Sequence, residues 1–125
     1  MEIKRIDSTQ IDLAIDLIWT TFLQFEAPDY SEEGVQSFKN FLGNKEIIKT
    51  LEFWGAYDHK ELKGVIATNE NRKHICCFFV KAQYHNQGIG RKLWEYLQKN
   101  SHSKIITVNS SPYAVPIYRK LGFVD

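Results

Sequence analysis

The sequence predicts an α/β fold in which a mixed sheet, antiparallel over its N-terminal strands and parallel at one crossover, is flanked by helices. Three observations lead there. Strand-like runs follow one another at "EFWGAYD" (52–58), "LKGVIAT" (62–68) and "HICCFFV" (74–80). The last of them gives way to a turn with Gly88 and Gly90, where a basic amphipathic segment begins, the joint expected of a parallel crossover. The 125 residues contain no linker, repeat or low-complexity segment, and with 43% hydrophobic and 25% charged residues they form one domain with a real core.

The elements follow in order. "EIKRI" (2–6) is a short strand, and "STQIDLAIDLIWTTF" (8–22) a helix whose Thr9 and Asp12 resemble a capping box. Ile11, Ala14, Ile15, Ile18, Trp19 and Phe22 recur at helical spacing and make one buried stripe. A turn around Pro28 precedes a second helix, "SEEGVQSFKNFL" (31–42), in which Val35, Phe38 and Leu42 share a face and Gly34 is a weak point. After Gly43 the pattern changes to the three strands, whose separating turns "DHKE" and "NENRK" are short enough for antiparallel neighbours. "GIGRKLWEYLQKN" (88–100) is a helix with Ile89, Leu93 and Leu97 on one side, and "KIITVN" (104–109) is a strand. "SPYAVPIYRKLGF" (111–123) is a final helix opened by proline and closed by Gly122.

Bulk properties exclude several function classes. Sixteen basic and fifteen acidic residues leave a net charge of +1, without the field or the basic stripe of a nucleic-acid-binding surface. The start "MEIKRIDSTQ" has no apolar leader core, and no run approaches the roughly 20 apolar residues that span a bilayer, so a cytoplasmic protein without a membrane partner is expected. Cys76 and Cys77 are adjacent in a strand, which suits buried reduced thiols rather than a disulfide or a metal pair.

A helix that begins at a glycine turn presents unpartnered N–H groups and the positive end of its dipole. Gly88 and Gly90 remove the side chains that would hold a phosphate away, and Arg91 and Lys92 add charge. Read alone, the motif fits either a phosphate cradle or a tight structural turn. It is not a dinucleotide fingerprint, because Leu93 stands where the third glycine belongs, nor a Walker A loop, because Arg91 and Lys92 follow the last glycine. Ser110 and Ser111 lie outside any G-x-S-x-G elbow and read as helix caps.

"FFVKAQYHNQGIGRKLWEYL" and "VNSSPYAVPIYRKLGF" together resemble the acyl-CoA-binding segment, Q/R-x-x-G-x-G/A, and the tyrosine-bearing helix of the GCN5-related N-acetyltransferases. The order of the flanking elements fits the same family over essentially the whole chain. The resemblance implies a single acyl-CoA N-acyltransferase domain over residues 1–125 that uses acetyl-CoA as acetyl donor and needs no metal. It implies main-chain contacts from Phe78, Phe79 and Val80 to the pantetheine arm, and amides from Gln87, Gly88, Ile89, Gly90 and Arg91 to the pyrophosphate. Asn109 would face the cofactor near the acetyl group, Tyr113 and Pro116 would shape the wall beside the pantetheine, and Tyr118 would be the general acid at the sulfur. The pattern departs at His85, where Gln or Arg is usual, and at Asn86, where Gly is frequent; Asn tolerates the left-handed backbone such a turn needs.

The acceptor must lose a proton to attack, since only about a thousandth of a lysine-like amine is neutral near pH 7.5. Glu26, in "QFEAPDY", is the first candidate for the base and His74 the second. The expected activity is direct acetyl transfer to a primary amine, on a small molecule or a peptide. The alternative is a CoA-binding sensor or interaction module with weak catalysis. The related fold continues with further strands, of which residues 123–125 read as the beginning. A sheet without them would expose an edge, which suits a homodimer; a monomeric short form is the other possibility.

Overall fold

The computed structural model describes residues 1–103 and 105–124. Its elements are β1 (Glu2–Arg5), α1 (Ile11–Phe25), α2 (Glu32–Gly43), α3 (Lys45–Thr50), β2 (Glu52–Asp58), β3 (Glu61–Thr68), β4 (His74–Val80), α4 (Ile89–Asn100), β5 (Thr107–Val108) and α5 (Val115–Lys120). The strands form one sheet in chain order, antiparallel from β1 to β4, with β5 parallel to β4 across the α4 crossover.

Alternation along the strands builds a core on each face. Phe53, Val65, Ala67, Cys77 and Phe79 pack against Ala14, Ile18 and Phe22 of α1 and Leu42 of α2. Trp54, Ala56, Ile66 and Ile75 pack against Ile89, Leu93 and Leu97 of α4 and Tyr118 of α5. The stripe expected of α4 is buried against the sheet; in α1 the buried face is Ala14, Leu17, Ile18, Thr21 and Phe22, with Ile11, Ile15 and Trp19 of the expected stripe only partly buried at its side.

One irregularity positions the site. Ala67 pairs with Cys77 and Thr68 with Ile75, so Cys76 is an extra residue in β4. A bulge bends its strand and ends regular pairing. The pairing of β4 with β5 stops at the same point, at Ile75 opposite Val108. Beyond it the two strands part, and the edge of β4 from Cys77 to Val80 faces a cleft instead of a neighbour.

Local departures from the expectations have local causes. Asp7, not Thr9, opens the first helical segment, its carboxylate accepting the Thr9 N–H at 2.9 Å ahead of a 3-10 turn. Residues 45–50, without an assignment from sequence, form α3, capped by Asn44, whose side chain accepts the Ile47 N–H at 3.2 Å. Gly34 sits in the first turn of α2, where an added Cβ would come within 3.0 Å of the Tyr30 ring, so close packing explains it. The strand expected over 104–109 is reduced to Thr107–Val108: Ile105 and Ile106 would lie opposite residues ahead of His74, where β4 has not begun, and pairing ends after Val108 where β4 bulges; Lys104 lies outside the described residues. Phe123 and Val124 are not in a strand, and Asp125 lies outside the described residues. Instead, Phe123 N–H bonds to Tyr118 C=O and Gly122 N–H to Arg119 C=O, both at 3.0 Å, with Gly122 at φ +103°, a Schellman end to α5. Among the described residues no helix is long and apolar enough to cross a membrane.

Candidate functional site

The turn between β4 and α4 has the backbone that its residues suggest. Asn86 and Gly88 both adopt left-handed angles, at φ +63° and +80°. A Cβ on Gly88 would meet no atom within 4 Å, so the space beside it is open. The first helical bond of α4 runs from Lys92 N–H to Gly88 C=O at 3.1 Å, and no side chain caps this end. The N–H groups of Ile89, Gly90 and Arg91 precede that bond and point out of the helix start. This donor set fits an anionic group such as a pyrophosphate. The approach to the turn is fixed by Tyr84, whose hydroxyl donates to Glu61 at 2.8 Å, with Lys81 Nζ 3.3 Å from the same carboxylate.

The side chains around the turn divide. Arg91 lines the cleft, and its guanidinium also donates to the Lys120 carbonyl at 2.9 Å, tying α4 to the end of α5. Lys92 and Gln87 are exposed and lie outside the cleft wall. His85 is half-buried, with Nε2 2.7 Å from the Val80 carbonyl; since a carbonyl only accepts, Nε2 carries the proton. Its ring lies 4.8 Å from Phe25, and Phe25 stacks at 5.5 Å on Tyr113. Three rings from the turn, the end of α1 and the start of the final helix thus span the cleft.

Below the turn is a cavity of about 350 Å³, walled by Phe78, Phe79 and Val80 on the β4 side and by Tyr113, Ala114, Ile117 and Tyr118 on the other. Pro116 is exposed and belongs to neither wall; Ala114 and Ile117 occupy the place expected for it. A second cavity of about 160 Å³ adjoins, lined by Phe22, Tyr30 and Phe38, and Asn109 lines this one. Glu26 and Tyr118 line both, so they stand where the two meet.

Glu26 is held by the last turn of α1, its N–H bonded to the Phe22 carbonyl at 2.9 Å. Burial raises its pKa above the ordinary carboxylate value, the Ser111 hydroxyl pulls it back by hydrogen bonding, and the charge of Asp29 raises it further. Ser111 also caps the final helix, accepting the Ala114 N–H at 3.3 Å, as a helix-capping serine should. Burial likewise raises the Tyr118 phenol, with the Glu26 charge acting in the same sense. Among the described residues no buried side-chain polar atom lacks a partner, and Tyr118 makes no side-chain hydrogen bond, so its hydroxyl opens onto the cavity. His74 is elsewhere: its Nδ1 lies 2.8 Å from Thr107 Oγ1 at the β4–β5 junction, and it lines neither cavity. Sequence reasoning missed Phe25 and Tyr30, whose only sign is their place on either side of Glu26 in an aromatic loop.

A mixed sheet that splits at a bulge, above a helix start rich in free amides, defines the acyl-CoA-dependent acyltransferase class of fold. The model of the acetyltransferase (GNAT) domain matches residues 26–125, and the chain belongs to this family. No curated protein sequence matches it. Among solved structures, a GCN5-related N-acetyltransferase from Rhodopseudomonas palustris superposes with a TM-score of 0.85 at 19% identity, over 98% of this chain and 81% of that one. The PaiA N-acetyltransferase from Thermoplasma acidophilum, in complex with coenzyme A, gives 0.73 at 19% identity, over 98% and 89% of the two chains. A protein described as a predicted acetyltransferase, with acetyl-CoA, from Clostridium acetobutylicum gives 0.67 at 18% identity, over 99% and 90%. These likenesses establish the fold.

Proposed function

We propose that residues 1–125 form a single acyl-CoA N-acyltransferase domain that moves the acetyl group of acetyl-CoA directly onto a primary amine. The observation that carries this reading is the position of Glu26 and Tyr118 at the junction of the two cavities. The amides of Ile89, Gly90 and Arg91 hold the pyrophosphate, the free edge of β4 holds the pantetheine arm, and the thioester lies at the junction. Acetyl-CoA supplies the activated acyl group.

The residues of the chain manage the protons. Glu26 takes a proton from the incoming ammonium, and a carboxylate held above its ordinary pKa is a better base for this task. The amine lone pair then forms the C–N bond while the C–S bond breaks, and Tyr118 gives its proton to the departing sulfur. Cys76 and Cys77 also line the second cavity, but burial raises both thiols, which leaves too little thiolate for a covalent acyl-enzyme route.

The test has two parts. Acetyl-CoA and CoA should raise the melting temperature where ATP and NAD do much less, because a ligand that binds only the folded state stabilises it. Release of CoA should then depend on an added amine. No shift with millimolar acetyl-CoA would overturn the cofactor assignment. Binding without turnover of any amine would favour the sensor reading, which His85 supports: its ring is committed to the Val80 carbonyl where the family pattern has Gln or Arg. Self-association belongs to the same proposal. Ile105 and Val124, 73% and 92% exposed, flank an open groove of about 650 Å³ along the outer edge of β5, a surface suited to a second copy. A monomer by sedimentation throughout the micromolar range would remove it.

A further inference from the structure

Glu26 leaves the end of α1 with little to aim its carboxylate. Among the described residues it forms no ion pair. His85 and Arg91 line the larger cavity with it but are committed elsewhere, to the Val80 and Lys120 carbonyls. The remaining neighbours offer no counter-charge: Asp29 repels it, and the phenols of Tyr30 and Tyr118 and the thiol of Cys77 are themselves raised by its charge. The one group that favours the ionised carboxylate is the Ser111 hydroxyl.

Ser111 is placed for two partners. It is 4% exposed and lines the 160 Å³ cavity together with Glu26. Its extended backbone, φ −67° and ψ 157°, is that of an N-cap, and its Oγ accepts the Ala114 N–H at 3.3 Å, while Pro112 between them brings no N–H to compete. The cap uses the oxygen only as an acceptor, so the hydroxyl proton is left to donate, and a carboxylate accepts it. Ser110 Oγ donates to the Ser111 carbonyl at 2.8 Å, which steadies the turn. The capped segment runs through Pro112–Ala114 into α5, and Ala114 and Tyr118 lie in one buried cluster. One oxygen therefore joins the end of α1, with Glu26, to the start of the segment that carries Tyr118.

We propose that Ser111 is a positioning residue for the transfer: its hydroxyl holds the Glu26 carboxylate at the junction while its oxygen caps the segment that carries Tyr118, so that base and acid keep one spacing. The proposal rests on the transferase reading above.

Ser111→Ala would remove the cap together with the donor, so the test uses Ser111→Gly, because glycine is itself an accepted N-cap. With any amine that the wild type consumes, kcat/KM should fall on the order of tenfold at pH 7. The acid limb of its pH profile should move to higher pH, and KM for acetyl-CoA should stay unchanged. A second measurement needs no turnover. Losing the donor lifts Glu26 further above its ordinary value, and a raised folded pKa costs stability as the pH rises through it. The melting temperature of Ser111→Gly should therefore fall further below wild type at pH 7 than at pH 4, and that pH dependence should vanish when both proteins carry Glu26→Gln. An equal deficit at the two pH values, or a pH dependence that persists with Glu26→Gln, would overturn the proposal and leave Ser111 a helix cap. An unmoved acid limb would do the same while leaving acetyl transfer intact. If no amine is consumed, the transferase reading falls, and the melting temperatures still decide whether Ser111 holds Glu26.

Discussion

Replacing Tyr118 with phenylalanine removes one oxygen from a ring that is only 9% exposed. The packing should survive, because the edge contacts to Phe78 at 5.9 Å and Phe123 at 5.3 Å belong to the ring and not to the hydroxyl. The hydroxyl makes no side-chain hydrogen bond, so its loss leaves no orphaned partner and should change stability by less than about 1 kcal/mol. Its loss in the reaction is another matter. The departing thiolate has an ordinary pKa of about 8.5 and, without a positioned donor, must leave unprotonated into a partly desolvated cleft. General acid catalysis contributes on the order of 10²-fold at its lower end, which is about 2.7 kcal/mol of barrier.

Steady-state CoA release should therefore show kcat down about 10²-fold, with KM for acetyl-CoA and the melting temperature close to wild type. Burial raises the phenol, so the donor keeps its proton to above the ordinary tyrosine value of about 10, and wild-type kcat should not decline between about pH 8 and pH 10. A Tyr118→Phe enzyme within about threefold of wild type would reduce Tyr118 to a packing residue, given that a real donor is worth at least about 10²-fold. A wild-type alkaline limb well below about pH 9 would place the donor elsewhere.

Four further outcomes follow from the same geometry. Glu26→Gln should lower kcat/KM on the order of 10²-fold at neutral pH. It should also raise the melting temperature there: a raised folded pKa means that ionised Glu26 costs stability above the ordinary carboxylate value, so variant and wild type should converge below about pH 4. A Glu26→Gln protein less stable than wild type at pH 7 would contradict that sign. Gly88→Ala places a Cβ at φ +80° in open space, so it should cost about 1–2 kcal/mol in backbone strain and weaken CoA binding by more than about tenfold in calorimetry; an unchanged Kd would remove the cradle. Phe25→Ala takes out the middle ring of the His85–Phe25–Tyr113 stack and should raise KM for acetyl-CoA more than it lowers kcat, whereas an unaltered KM would make the stack a bystander. Glu52, its side chain 13% exposed, receives Arg5 at 2.8 Å and Arg72 at 3.0 Å, so Glu52→Gln should cost about 1–3 kcal/mol in denaturant unfolding, and a change under about 0.5 kcal/mol would show the bridge to be idle.

What could be read from the sequence follows the range of the forces involved. β2 and β4 begin and end at the residues expected, because alternating apolar side chains and polar turns are local signals. Gly88 and Asn86 were legible for the same reason: a left-handed turn selects residues by backbone sterics alone. α3 was missed although Asn44 is a normal cap, since six residues with two adjacent isoleucines show no full helical period. β5 is shorter than expected because strand length depends on a partner: β4 begins only at His74, opposite Thr107, and its bulge at Cys76 ends the pairing after Val108. Phe22 meets Tyr30 and Phe38, and Phe25 meets His85 and Tyr113, across loops, where no periodicity reports contact. Pro116 was assigned to the wall one residue away from Ile117, an error of helix phase rather than of element.

The bulge at Cys76 also accounts for why the two reactive groups meet. Had β4 and β5 continued to pair beyond Ile75 and Val108, the edge of β4 would have been closed and the final helix held against it. The extra residue lets β5 diverge, and the chain then returns through the Ser111-capped turn so that Tyr118 reaches back over Phe78. From the other face of the sheet, α1 runs three residues past its apolar stripe to Phe25, which delivers Glu26 to the same opening. The cleft thus has two parts, one ending at the glycine turn with its free amides and one lined by the rings of Phe22, Tyr30 and Phe38, with Glu26 common to both. In the proposed reaction the two ligands would meet where the cavities share Glu26, Phe78, Phe79, Ala114 and Tyr118. On the proposed reading that arrangement favours direct transfer, because the acceptor need not wait for the donor to leave, and both Glu26 and Tyr118 stand at the shared junction where a proton would move from amine to sulfur.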